Sequence, residues 1–441
     1  MPAAAADSAL YHSLLGDADT ARLFSDSAEM RAMILVEGAL ADVQGKLGVI
    51  PAEAAAFILR ASHEVQIDPA SLATETALNG VPVPGLVTAF RKAMNAPDMA
   101  HYLHWGATSQ DIMDTAQALR LRPVLDLWEK RLSKLAQALG RLALTHADLP
   151  MAGRTFGQLA TPTSFGALVA GWGWPVLRHL DRLAQIRRDL LQVSLGGAAG
   201  TLSAMGPAGP QLRAGLALAL DLADPGHGWH AERDGIAAFA GWMAGLAGSL
   251  GKIGEDLILL TQSGIAEVQI SGAGGSSTMP QKQNPVGPSV LVALSRQIIG
   301  LAATLQGAAL HRQQRDGASW FTEWLTLPQI CVSTGAALSR ALDLAGKITP
   351  DAAAMARGLE AGLGLIHAET LSFALAETMP RPDAQALVKA MCAEAIASGT
   401  ALPLLAQRDF PGTDWSARLT ASAQLGQAPD EARAFVQASL G

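Results

Sequence analysis

The sequence predicts an all-α protein, and three observations carry that expectation. Apolar residues recur at three- and four-residue steps, as in Met33, Val36, Leu40, Val43 and Leu47 with Arg31, Glu37, Asp42 and Lys46 interspersed. No stretch of useful length alternates apolar and polar residues as a half-buried strand would. The helical segments are also long. Ile236, Phe239, Met243, Leu246, Leu250, Ile253, Leu257 and Leu260 form one stripe within Asp234–Gln269, on the order of 50 Å of helix at 1.5 Å per residue.

Composition narrows the function classes. The chain is 49% apolar and only 16% charged, which leaves little surface for solvation and implies that apolar helix faces are buried between subunits. The net charge is −7 and no basic run occurs, so nucleic acid is excluded as a partner and an anionic ligand needs a locally positive pocket. Cys331 and Cys392 stand far apart, in no disulfide or zinc spacing, and fit a reducing compartment. No HExxH occurs, and no metal site is expected. The N-terminal stretch lacks the basic and apolar regions of a signal peptide. The uncharged stretches Thr155–Leu177 and Leu190–Leu212 are broken by Gly, Pro, Ser, Thr and Gln, so neither is an apolar run of about 20 residues. A soluble, cytoplasmic protein is expected.

The elements follow in order. The first helix ends at Gly48 and Pro51, and a second covers Ala52–Ala61. Asn79–Pro84 form a turn before a short helix. In His101–Ala116, HYLHWGATSQDIMDTA, Thr108 and Asp111 fit a capping box, and a helix runs from there to about His146 with a kink expected at Pro123. Thr108, Ser109 and Asp111 read equally as a well-capped helix or as a carboxylate site with free amides and two hydroxyls. His101 and His104, just upstream, add acid–base capacity. Gly153–Gln158 precedes a helical region, Ser164–Gln192, interrupted near Pro175. Arg154 there fits a surface arginine or an anion contact. Leu195–Pro210 is a glycine-rich turn without the lysine of a phosphate loop. A helix over Ser289–Arg312 and the polar-aromatic segment Arg315–Pro328 lead to a long helix ending near Lys347. Ile348–Pro350 marks a boundary, and Asp351–Gly441 forms a smaller helical domain.

The stretch that organises the chain is Ser271–Pro288, SGAGGSSTMPQKQNPVGP, set between two long helices. Gly272, Gly274 and Gly275 give its near end backbone freedom, and Pro280, Pro285 and Pro288 stiffen its far end. Helix–helix connections usually span about 2–8 residues. A connection of this length that carries paired serines, a lysine and an asparagine reads as a mobile active-site lid.

Gly275–Pro285 resembles the signature of the fumarase/aspartase/argininosuccinate lyase superfamily, GSSxMPxKxNP, at every fixed position. His104–Asp111, HWGATSQD, is similar to the family's second motif, and Gly153-Arg154-Thr155 with Gln158 to its third. The resemblance covers most of the chain. It implies a subunit of three helical domains, here residues 1–109, 110–347 and 348–441, with a central bundle of long helices. Four subunits would surround a 20-helix core, each active site would draw on three chains, and no cofactor would be needed. It further implies β-elimination or its reverse beside a carboxylate, through a doubly charged aci-carboxylate that needs positive charge and hydrogen-bond donors. Ser276 matches the lid serine that acts as general base, with Lys282 lowering the cost of its alkoxide. His104, Thr108, Ser109, Arg154, Gln158, Ser277, Met279, Asn284 and Arg315 carry over as substrate contacts.

Two departures refine the resemblance. Lyases of this superfamily that release an amine usually carry His where Phe156 stands, and pair it with a Glu where Ser289 stands. An amine leaving group benefits from a general acid; a carboxylate, which leaves as a stable anion, does not. The branch that lacks this pair and has HWGATSQD is that of the bacterial 3-carboxy-cis,cis-muconate cycloisomerases, which act on a tricarboxylate. Adenylosuccinate lyase, a non-catalytic helical scaffold, and a cycloisomerase for another polycarboxylate are the competing readings. Phe156 and Ser289 argue against the first, and an intact Ser276 and Lys282 against the second.

Overall fold

The computed structural model describes residues 5–272, 274–275 and 278–440. In chain order the main elements are α1 (Asp26–Lys46), α2 (Ala52–Glu64), α3 (Val83–Met94), α4 (Ser109–Thr145), β1 (Pro150–Thr155), β2 (Gln158–Ser164), α5 (Phe165–Leu190), α6 (Gly209–Leu220) and α7 (Asp234–Leu260). There follow β3 (Val268–Ile270), β4 (Gly274–Gly275), β5 (Gln283–Asn284), α8 (Val286–Gly307), α9 (Gly317–Ala345) and β6 (Ile348–Pro350). The C-terminal part holds α10 (Ala352–Glu360), α11 (Ala368–Leu375), α12 (Arg381–Ser398), α13 (Leu402–Asp409) and α14 (Ala428–Leu440). The all-α expectation is met, with three short antiparallel pairs added.

Helix α4 shows why these segments are helical. Leu121, Val124, Leu125, Trp128, Leu132, Leu135 and Leu139 are buried at three- and four-residue steps along one face. That face holds the helix through Pro123, an interior proline that would cost about 3 kcal/mol in an isolated helix. Pro175 lies within α5 and Pro328 within α9 in the same way. The interruption expected at Pro175 is therefore absent, and α9 begins at Gly317 rather than after Pro328. In both cases packing outweighs the lost backbone hydrogen bond. At 37 residues, α4 exceeds the 27 of α7, which stops at Leu260 rather than Gln269. The unassigned stretch after the glycine-rich turn contains α6.

Residues 1–130, 179–248 and 294–339 form one compact unit. Its core joins α1, α2, α3 and α6 through Met33, Leu40, Ile58, Leu86, Phe90 and Leu216. Trp128, Phe239 and Trp242 add an aromatic cluster with ring centroids 5.9–6.1 Å apart, a separation at which ring pairs attract beyond their burial. Residues 131–178, 249–293 and 340–441 form a second unit. In it Phe435 of α14 packs edge-on against Trp174 at 5.5 Å, and Trp172 donates to Asp256 at 2.7 Å. Leu371, Val388, Met391, Leu402 and Trp415 make a separate small core.

The β1–β2 hairpin departs from the expectation of no strands. Its register runs from Pro150 opposite Ser164 to Thr155 opposite Gln158, with an irregularity at Gly153. Phe156 and Gly157 form the turn, both left-handed at φ 51° and 74°. Two positive φ angles are what a two-residue hairpin turn requires, and Gly157 supplies the second without strain. The six residues of β1 are too few, and too irregular, to show alternation in the sequence.

Helices α7 and α8 are long and apolar enough to cross a membrane by length and composition alone. About half of each apolar window is buried within the chain, at 50% and 44%.

Candidate active site

In the first unit the site is built on the N-terminus of α4. Thr108 is the N-cap, and the Asp111 carboxylate reaches back to accept from the Thr108 amide at 3.0 Å, which is the carboxylate half of a capping box. Asp111 is fully buried and also accepts from the amides of Gly196 and Gly197 at 2.7 and 3.0 Å and from His230 Nε2 at 2.7 Å. Its two oxygens thus carry four hydrogen bonds, which fills a carboxylate's acceptor capacity. The glycine-rich turn, which lacks a phosphate loop's lysine, closes over this carboxylate. A Cβ on Gly196 would lie 3.1 Å from the His230 ring, so any side chain there would crowd it.

With the carboxylate satisfied, the Thr108 and Ser109 hydroxyls make no hydrogen bond among the described residues and stand half-buried beside the helix end. Free hydroxyls beside a helix N-terminus are groups that an anion site can use. Arg315 is brought to the same end of α4. Its Nε donates to Gln110 Oε1 at 2.7 Å, its Nη1 to the Ala198 carbonyl at 3.3 Å, and its Nη2 lies 3.4 Å from His230 Nδ1.

His104 adopts a left-handed backbone (φ 63°), and its Nδ1 sits 2.6 Å from Glu37 Oε1. Burial pulls its pKa down, but the buried Glu37 carboxylate outweighs that and raises it above the ordinary histidine value. The segment around it is pinned by Gln44, which donates to the Trp105 carbonyl at 2.7 Å, and by Arg91, which donates to the carbonyls of Ala100 and Leu103. His101 is exposed and lies against the Pro97 carbonyl.

The second unit holds the other expected residues. Arg154 on β1 makes a bidentate pair with the buried Glu267, at 2.7 and 2.8 Å. That pair commits both terminal nitrogens of the guanidinium to a carboxylate and anchors the hairpin to the segment before β3. Gln158 is exposed at the start of β2, and Phe156 at the hairpin tip is fully exposed.

The stretch expected to act as a lid is tied at its base by Gly274 opposite Asn284 and Gly275 opposite Gln283. The Lys282 amide donates to the Met279 carbonyl at 3.0 Å, a turn with Pro280 in its first central position. Lys282 and Met279 are exposed and Asn284 is half-buried. Ser276 and Ser277 lie outside the described residues. Ser289 opens the first turn of α8, and its hydroxyl donates to the Pro285 carbonyl at 2.9 Å.

Sequence reasoning gave no role to Glu37, Gln110, His230 or Glu267. His230 and Arg233 stand in the dense run HGWHAERDG between a glycine-proline turn and a long helix. That concentration of titratable groups was the available signal. Glu37 and Glu267 carried none, since their partners lie 67 and 113 residues away.

The all-helical scaffold and the Gly275–Pro285 signature point to the lyase class. A family model described as lyase matches residues 14–300. The chain belongs to that family, within the fumarase/aspartase/argininosuccinate lyase superfamily. It is 41% identical over 380 residues to the 3-carboxy-cis,cis-muconate cycloisomerase of Pseudomonas putida, covering 85% of this chain and 90% of that one. It is also 41% identical over 379 residues to the enzyme of the same name from Pseudomonas aeruginosa, covering 85% and 83%. The crystal structure of the 3-carboxy-cis,cis-muconate lactonizing enzyme from Pseudomonas putida superposes with a TM-score of 0.93 at 36% identity, covering 98% of this chain and 99% of that one.

Proposed function

We propose that this protein is a cofactor-independent cycloisomerase that converts 3-carboxy-cis,cis-muconate to 4-carboxymuconolactone, a step in the protocatechuate branch of aromatic degradation. The observation that carries the reading is an intact lid motif without the His–Glu acid–base pair. Phe156 is an exposed apolar side chain, and the Ser289 hydroxyl is bonded to its own helix. A site without that acid suits a reaction whose nucleophile, or leaving group in reverse, is a carboxylate.

In the forward direction an oxygen of one substrate carboxylate attacks the double bond conjugated to another carboxylate. A C–O bond forms, and the displaced π pair moves onto the second carboxylate as an aci-carboxylate. A proton delivered to the α-carbon completes the lactone, with no atom lost. Ser276 or Lys282 supplies that proton, and in reverse Ser276 removes it with Lys282 stabilising its alkoxide. The doubly charged intermediate is stabilised by Lys282, Asn284 and the α4 N-terminus at Thr108 and Ser109. The third carboxylate falls to Arg315 or Arg154 with Gln158, beside His104, with Ser277 and Met279 as lid contacts. Arg154 plays its part with its charge shared with Glu267.

Four copies assemble in this reading, each active site drawing on three chains, and the half-exposed faces of α7 and α8 pack between subunits in a soluble, cytoplasmic enzyme. Purified protein is expected to remove the conjugated-diene absorbance of 3-carboxy-cis,cis-muconate without added metal or nucleotide. An unchanged spectrum, with adenylosuccinate or argininosuccinate cleaved instead, would overturn the proposal.

A further inference from the structure

We infer that His230 is a positioning residue: through its hydrogen bond from Arg315 it aims and preserves the charge of the guanidinium that receives a substrate carboxylate. The inference rests on the functional reading above in assigning Arg315 a polycarboxylate ligand.

The acceptors around Arg315 are the Gln110 amide oxygen, the Ala198 carbonyl and the His230 ring, and none is a carboxylate. Several other arginines of the chain pair with carboxylates instead. Arg154 pairs with Glu267, Arg213 with Asp224, and Arg233 with Asp114 and Glu323. Three neutral acceptors fix the orientation of Arg315 and leave its charge uncompensated for a ligand.

The Asp111 carboxylate stands on the far side of the His230 ring, one hydrogen bond further away. It is saturated by three backbone amides and by His230, so it has no acceptor site left for Arg315. The imidazole lies between the two. A guanidinium only donates, so the Arg315 contact requires an unprotonated Nδ1, and the proton must sit on Nε2, where it is given to Asp111. A single neutral tautomer therefore satisfies both sides, and Asp111 selects it. Gln110 completes the clamp. Its Oε1 accepts from Arg315 while its Nε2 donates to the His230 carbonyl at 2.9 Å and to Asp114 at 3.1 Å. His230 and Gln110 are both buried, so neither reaches the reacting atoms directly.

The test is a set of variants read by steady-state kinetics on 3-carboxy-cis,cis-muconate, with unfolding temperature measured alongside. His230→Leu is expected to raise KM about tenfold or more with a smaller change in kcat, the loss of one hydrogen bond to a charged group. His230→Gln keeps an amide donor toward Asp111 and a carbonyl acceptor toward Arg315, and is expected to recover most of that loss. In an Arg315→Ala background, His230→Leu should change kcat/KM less than twofold, roughly within the additivity error of distant sites. Equal losses in both backgrounds, or Gln behaving as Leu does, would overturn the inference. If the wild type leaves this substrate unchanged, the functional reading fails and the positioning claim is judged separately. Nitrogen-15 NMR of histidine-labelled protein, with His230→Gln locating the signal, should then show a neutral imidazole protonated at Nε2 that shifts in Arg315→Ala. A doubly protonated ring, or a signal indifferent to Arg315, would refute it.

Discussion

Arg233→Met should be among the most damaging single substitutions in the chain, and the reason is electrostatic rather than steric. Arg233 is fully buried in its unit and makes four charge-assisted hydrogen bonds: Nε and Nη2 to Glu323 at 2.8 and 2.6 Å, and Nη1 and Nη2 to Asp114 at 2.8 and 3.2 Å. Trp229 covers it at 4.8 Å. Both carboxylates are themselves almost wholly buried. Methionine fills most of the volume and leaves two buried anions facing each other without a cation. Breaking such an arrangement costs about 3–5 kcal/mol.

The same logic gives a sign for the pH dependence. Burial already pushes Glu323 above its ordinary pKa, against the pull of Arg233. In the variant Glu323 loses that pull and is raised further, so the folded state would bind more protons than the unfolded state. The variant therefore gains stability as pH falls through the raised Glu323 value toward about 4, where the unfolded carboxyl also protonates. Urea unfolding followed by tryptophan fluorescence should show the full deficit at about pH 7.5 and a smaller one at about pH 5. Replacing all three residues together, as in D114L/R233M/E323L, should restore much of the loss. A deficit below about 1 kcal/mol, as for an exposed ion pair, or one equal at both pH values, would refute the reasoning.

Three further outcomes are expected. Glu37→Gln removes the carboxylate that raises His104, so the alkaline limb of kcat/KM should move to lower pH; the stability His104 contributes is present below about pH 6.5 and is lost as pH rises through its raised folded value. An unmoved limb would remove His104 from the site. Gly173→Ala places a Cβ 1.9 Å from the buried Phe435 ring and should destabilise by about 1–3 kcal/mol in thermal unfolding. Ser276→Ala and Lys282→Met should each cut turnover about a hundredfold or more while sedimentation shows an unchanged oligomer, and wild-type-like activity in either would sink the assigned roles.

What the sequence determined by itself was local or motif-borne. The period of Leu121, Val124, Leu125 and Trp128 defines α4, because helical burial repeats every three to four residues in the chain. Thr108 and Asp111 announced their capping interaction because its partners are three residues apart. The family was legible from the signature residues of Gly275–Pro285. The hairpin at Gly153–Gln158 and the passage of α5 and α9 through Pro175 and Pro328 were not, because there tertiary packing outweighs local propensity. Only the folded structure decided which charges meet. Glu37 raises His104, Glu267 holds Arg154, and Asp111 holds His230 against Arg315 across sequence separations of 67 to 119 residues. Such pairings depend on where helices and loops carry their ends in space, and composition and periodicity do not encode that directly.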